Sequence, residues 1–183
     1  MRYVIWCIAI VLVIAGIALY ANAETNMCVG NVPDVIDNAV NIEQEDLETS
    51  ALGDATKGGM CDADVFDATG KITVYRIYDS SRPWSMHGRW WSFDRPRGSK
   101  PDYREDNAIC PEWSALDRIV MCDIEIDEEF VVGTTQSVQC ENTFYPANDN
   151  LQVYIPNAEN DVKVENCRIL RFDTFFWNLT PNF

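Results

Sequence analysis

Six cysteines downstream of an apolar leader constrain this chain more than any other feature. The leader, Met1 to Ala23, carries a single positive charge at Arg2 and an apolar run from Tyr3 to Tyr20. It closes on Ala21-Asn22-Ala23, the small-x-small pattern that signal peptidase accepts because its subsites admit only small side chains. The reading is a cleavable secretory signal peptide cut after Ala23. A run of about 18 apolar residues could also serve as an uncleaved anchor, but the charge-poor flank and the cleavage pattern favour removal. Cys7 leaves with the leader. Cys28, Cys61, Cys110, Cys122, Cys140 and Cys167 then form an even set, expected to oxidise in a secreted or periplasmic protein and to give up to three disulfides. Sequence alone does not choose the pairing. A zinc site is disfavoured, because no pair shows C-x-x-C spacing and His87 is the one histidine.

About 160 residues remain after cleavage, enough for one domain with a real core. The formal net charge of −15 argues against nucleic acid as a partner, since such a protein needs a basic footprint to displace counterions. No stable membrane association is expected once the leader is gone.

Along the mature chain two textures follow one another. Residues 24–69 read as an acidic N-terminal extension, in which Val35, Ile36, Ala39, Val40, Ile42 and Leu47 could line one short amphipathic helix. Glu43, Glu45, Asp46 and Glu48 read as a solvated face. From residue 70 to 183, short runs rich in β-branched and aromatic residues are separated by Pro, Gly, Asn and Asp. They are Ile72 to Tyr78, Trp90 to Phe93, Arg118 to Ile126, Phe130 to Val132, Leu151 to Ile155 and Cys167 to Phe172. That pattern predicts a mainly β domain, with a helix over Lys100 to Asn107.

Hydrolase chemistry lacks its parts: a triad would have to use His87, and no G-x-S-x-G elbow accompanies it. Neither a phosphate-cradling glycine loop nor metal ligands at helical or hairpin spacing are present, so no metal is expected. Three other features stand out. Arg76 sits in the middle of an apolar strand, where a guanidinium is costly to bury unless it holds an anion or a carboxylate. Ser92 stands among Trp90, Trp91 and Phe93 just after Gly88-Arg89, a hydroxyl beside stacking surfaces. Gln152 lies inside a late β run. The first two have plain structural alternatives, an ion pair for Arg76 and core packing for the tryptophans, and Gln152 alone carries almost no weight.

Taken in order, the arginine, the aromatic-flanked serine and the late glutamine resemble the ADP-ribosyltransferase fold of secreted and polymorphic toxins, over about Lys71 to Asn157. The nearest look is to NAD glycohydrolases related to tuberculosis necrotizing toxin. The corresponding parts are Arg76, the stretch Gly88 to Pro96, Arg104 ahead of Ile109-Cys110-Pro111, and Gln152 followed by Tyr154. Ala147-Asn148-Asp149-Asn150 replaces the expected glycines, and Gln139-Cys140-Glu141 spells an alternative Q-x-E motif. The resemblance implies an α+β, mainly β, disulfide-stapled split sheet with a few short helices, and NAD+ as substrate. It further implies hydrolysis of NAD+ or transfer of ADP-ribose to a protein acceptor. Arg76, Ser92 and Gln152 would be catalytic, while Arg76, Arg104, Trp90, Trp91 and Phe93 would bind NAD+. The competing expectation is a non-enzymatic secreted binding module, whose sign would be that Arg76, Ser92 and Gln152 fail to converge on one cleft.

Overall fold

Short β-branched runs that are largely buried build the molecule. The computed structural model describes residues 28–171; the expected leader and its expected cleavage site, with Cys7, lie outside them. In chain order the elements are β1 (Ala39–Ile42), α1 (Glu45–Ala51), β2 (Met60–Ala68), β3 (Ile72–Tyr78), β4 (Trp90–Trp91), α2 (Lys100–Asp106), β5 (Arg118–Ile124), β6 (Glu129–Thr135), β7 (Val138–Gln139), β8 (Phe144–Tyr145), β9 (Asn148–Tyr154) and β10 (Val164–Leu170). Short 3-10 turns at Pro83–His87 and Pro111–Trp113 interrupt the connections.

The fold is mainly β, and among the described residues every pairing between the named strands is antiparallel. One sheet has the order β1-β2-β6-β9-β4, a second β10-β5-β3, and β7 pairs with β8. Ser92, one residue past β4, joins the two larger sheets. Its N–H donates to the Tyr75 carbonyl at 2.9 Å and its carbonyl accepts from Tyr75 N–H at 2.8 Å. The facing sheets enclose the main core, in which Phe66, Val74, Trp91, Val120, Phe130, Val132, Val153 and Ile155 are almost fully buried. Each such side chain contributes about 1.5–3 kcal/mol by leaving water.

Three disulfides form: Cys28–Cys61, Cys110–Cys140 and Cys122–Cys167. The first ties the amino-terminal segment to β2, and the third crosses from β5 to β10. The second fastens the Pro111–Trp113 turn to the end of β7.

Residues 39–68 differ from the amphipathic helix expected over Val35 to Leu47. Asn38 adopts φ +62°, a left-handed value that interrupts a helix, and Ala39–Ile42 pairs instead with Val65 to Ala68. Val35 is 79% exposed, so it anchors no buried face. The helix starts later, at Glu45, with Glu45, Asp46 and Glu48 in its first turn, where negative charge favours the dipole. β2, hidden in the sequence by Asp62, Asp64 and Asp67, lies between β1 and β6. The acidic segment thus supplies two strands and a helix to the same body. Among the described residues no helix is long and apolar enough to cross a membrane.

Candidate functional site

A cleft of about 590 Å³ opens between β3, β4, the end of α1 and the segment that follows α2. Its floor holds Arg76, Ile77, Tyr103 and Gln152; Trp90 and Trp113 line its walls, and Asp54, Lys57, Gly58 and Gly59 contribute to its lining from the loop after α1.

Among the described residues, Arg76 is the only guanidinium lining this cleft. Its Nε donates to the Ser85 carbonyl at 2.8 Å and its Nη1 to the Trp90 carbonyl at 2.5 Å. No carboxylate of the described residues forms an ion pair with it, and Nη2 has no acceptor among them. Gly88 permits this position, for a Cβ there would come within 2.3 Å of Nη2. Burial pushes the guanidinium down to about 10, with nearby Tyr103 opposing the shift. The group is cationic at neutral pH, and a charge held this way calls for an anion.

Tyr103, which no sequence pattern singled out, stands between Arg76 and Ser92. Burial pushes its hydroxyl up to about 12, against the opposing pull of Arg76 and of contacts with the Ile77 backbone and the Ser92 side chain. The Ser99 capping box marks where α2 starts, but only the packing of Tyr103 with Ile77 and Leu116 shows that it turns inward.

Gln152 is buried on β9. Its Nε2 donates to the Asn107 carbonyl at 3.0 Å and to Thr135 Oγ1 at 3.1 Å. A carbonyl only accepts, so this bond fixes the amide orientation. Oε1 takes no donor from the described residues.

The remaining expected residues divide. Trp90 lines the cleft with its ring edge-on to Tyr154, centroids 5.1 Å apart. Trp91 is only 2% exposed and its Nε1 donates to the Gly88 carbonyl at 2.7 Å, so it presents little surface to the cleft. Ser92 and Phe93 border a second hollow of about 490 Å³ beside Asp94, Glu105, Asp106 and Asp149. The Asp106 carboxyl there is pushed up by burial and by Asp102, Glu105 and Asp149, a field that repels phosphate. Phe93 packs edge-on to Phe130 at 6.5 Å.

Arg104 is buried and spends its guanidinium on the chain itself. Nη1 donates to the carbonyls of Ile109 and Cys110, and Nη2 to that of Ser114 at 2.6 Å. It clasps the segment that walls the cleft. Gln139 and Glu141 are exposed and line neither hollow; the Glu141 N–H donates to Glu112 Oε1. Glu112 also lies with Cys110 and Cys140 in a group of metal-ligating geometry, but the two sulfurs are bonded to each other and offer no thiolate.

Of the residues expected to converge, then, Arg76, Gln152 and Trp90 share one cleft, Ser92 touches it only through Tyr103, and Arg104 supports its wall. Compared with family models, curated proteins and solved structures, the chain finds no match in any of the three.

Proposed function

We propose that this chain is an exported, disulfide-stapled binding module whose cleft takes a small organic anion carrying a flat ring. The anionic group sits on Arg76, a hydroxyl or amide N–H of the ligand donates to Gln152 Oε1, and the ring lies against Trp90 or Trp113. The observation that carries this reading is a cationic guanidinium at the cleft floor, with two donors on carbonyls, no carboxylate ion pair among the described residues, and Nη2 left over. Binding rather than turnover is favoured by what surrounds it. Among the described residues, Asp54, which is exposed, is the one carboxylate lining the cleft, and no histidine lines it.

A second reading keeps the same anchor. Arg76, Gln152 and Trp90 in one cleft, on antiparallel sheets of five and three strands, support an ADP-ribosyltransferase-like NAD+-consuming enzyme, with Arg76 on the pyrophosphate and Gln152 on the ribose hydroxyls. Its difficulty is Ser92, which spends its backbone on joining the sheets and borders an acidic hollow.

Calorimetric titration of the oxidised protein with NAD+, nicotinamide mononucleotide and simple aromatic carboxylates, run beside an assay for nicotinamide release, separates the readings. Saturable binding without release, weakened at least tenfold in Arg76→Gln, supports the binding module, since a lost charge-assisted bond is worth about 1.5–3 kcal/mol. Nicotinamide release that Arg76→Gln abolishes supports the enzyme. If no member of the set binds, both readings fail.

A further inference from the structure

We propose that the cleft is built for a ligand whose flat ring carries two anionic groups, the first on Arg76 and the second on Lys57. The proposal rests on the reading of Arg76 as the anchor of an anionic ligand and names the class of that ligand. Among the described residues that line the cleft, Arg76 and Lys57 are cationic and Asp54 alone is acidic. In a chain with 29 acids and 14 lysines and arginines, that lining inverts the charge of the whole, and it stays net positive with Asp54 counted. Neither cation forms an ion pair with a carboxylate of the described residues, Asp54 included.

The two cations belong to different elements and enter beside different tryptophans. Arg76, on β3, donates to the Trp90 carbonyl. Lys57 lies in the loop after α1, next to Gly58, where a Cβ would come within 3.6 Å of Trp113 Cη2. Backbone bonds hold that loop in place. Thr56 N–H donates to Ser137 Oγ at 3.1 Å, Gly58 N–H to the Ser137 carbonyl at 2.9 Å, and the Thr56 carbonyl accepts from Gln139 N–H at 2.9 Å. Lys57 therefore starts from a fixed point, its own N–H on the Asp54 carbonyl at 3.0 Å, and as an exposed residue it stands on the solvent side of the cleft.

Size points the same way. A cleft of about 590 Å³ falls in the range of about 300–1,000 Å³ that takes drug-sized ligands, more than one ring with a single anionic group fills. Because the Lys57 ammonium stays hydrated, the second contact adds a modest gain in affinity and leaves Arg76 as the anchor.

Calorimetric titration of the oxidised protein with matched pairs differing by one carboxylate, benzoate with terephthalate and biphenyl monocarboxylate with biphenyl dicarboxylate, tests this. In at least one pair the dicarboxylate should bind about tenfold more tightly, combining about fivefold for an exposed ion pair at its strong end with about twofold for two equivalent ends. The preference should shrink as salt is raised. Lys57→Gln should reduce it to the statistical part and Lys57→Arg should retain it; the residue is exposed, so neither change disturbs the fold. Arg76→Gln should weaken both members of a pair. A preference of about twofold or less in every pair, or a larger one that survives in Lys57→Gln, overturns the proposal, and the Arg76 anchor still stands if the monocarboxylates bind and lose affinity in Arg76→Gln. Absence of binding by every compound overturns both.

Discussion

Replacing Gly88 by alanine tests the position of the Arg76 guanidinium without touching the arginine. Gly88 has φ −65° and ψ 179°, extended backbone that alanine adopts freely, so no backbone strain enters. The added Cβ would lie 2.3 Å from Nη2 and 2.5 Å from Cζ, where carbon contacts need about 3.5 Å. Gly88 is itself held, because its carbonyl accepts from Trp91 Nε1 and Asn157 Nδ2. The guanidinium must therefore retreat, pulling Nε and Nη1 off the Ser85 and Trp90 carbonyls. Two charge-assisted bonds of about 1.5–3 kcal/mol each are weakened rather than lost, and alanine gains about 0.4–1 kcal/mol by restricting the unfolded chain. The net expectation is a loss of about 2 kcal/mol. In an Arg76→Ala background the same substitution has nothing to displace and should be neutral or slightly stabilising. Urea unfolding of the four proteins, compared at unchanged m-value, gives the coupling directly. A coupling below about 0.5 kcal/mol, the size expected of independent sites, would refute the placement of the guanidinium.

Two other outcomes follow from the buried groups and the cross-links. Denatured but unreduced mature protein should show no reactive thiol, and opening Cys122–Cys167 by a double Cys→Ala change should cost about 4 kcal/mol in denaturant unfolding for its 45-residue separation; a cost under about 1 kcal/mol would contradict the bridge. In a spectrophotometric pH titration, Tyr103 should hold its proton to about 12 while the unfolded chain releases it near 10, so base unfolding draws on this group as pH rises above about 10. Arg76, pushed down by burial, acts in the opposite sense over the same window, which makes the optical signal the readout; the late-titrating component should vanish in Tyr103→Phe.

The strands built on β-branched runs were legible from the sequence. Ile72 to Tyr78 and the start of β5 at Arg118 stand where the pattern placed them, because both are short runs of β-branched and aromatic residues that the core takes in. β2 was not, since three aspartates occupy its less buried positions and mask a strand whose remaining side chains enter the core. Local pattern likewise did not assign Arg76 and Arg104 their parts. Arg76 lies in an apolar run and Arg104 in a polar one, and only the fold shows that the first meets a cleft while the second meets three carbonyls of its own chain. Ser92 reads in the sequence as a hydroxyl flanked by rings, whereas its main part is played by the backbone, which no side-chain motif encodes. Tyr103 became visible only once α2 had been placed against β3.

The central claim, that Arg76 anchors an anionic ligand, is tested most directly by observing the arginine side chains themselves. In a nitrogen-15 correlation spectrum of the oxidised protein, the Arg76 Nε–H, assigned by its loss in Arg76→Lys, should exchange slowly because it is bonded to the Ser85 carbonyl. Titration with nicotinamide mononucleotide or an aromatic carboxylate should shift that resonance saturably and leave Arg104 in place. Shifts confined to the exposed Arg82, Arg95 and Arg118, with Arg76 unmoved at saturation, would contradict the account.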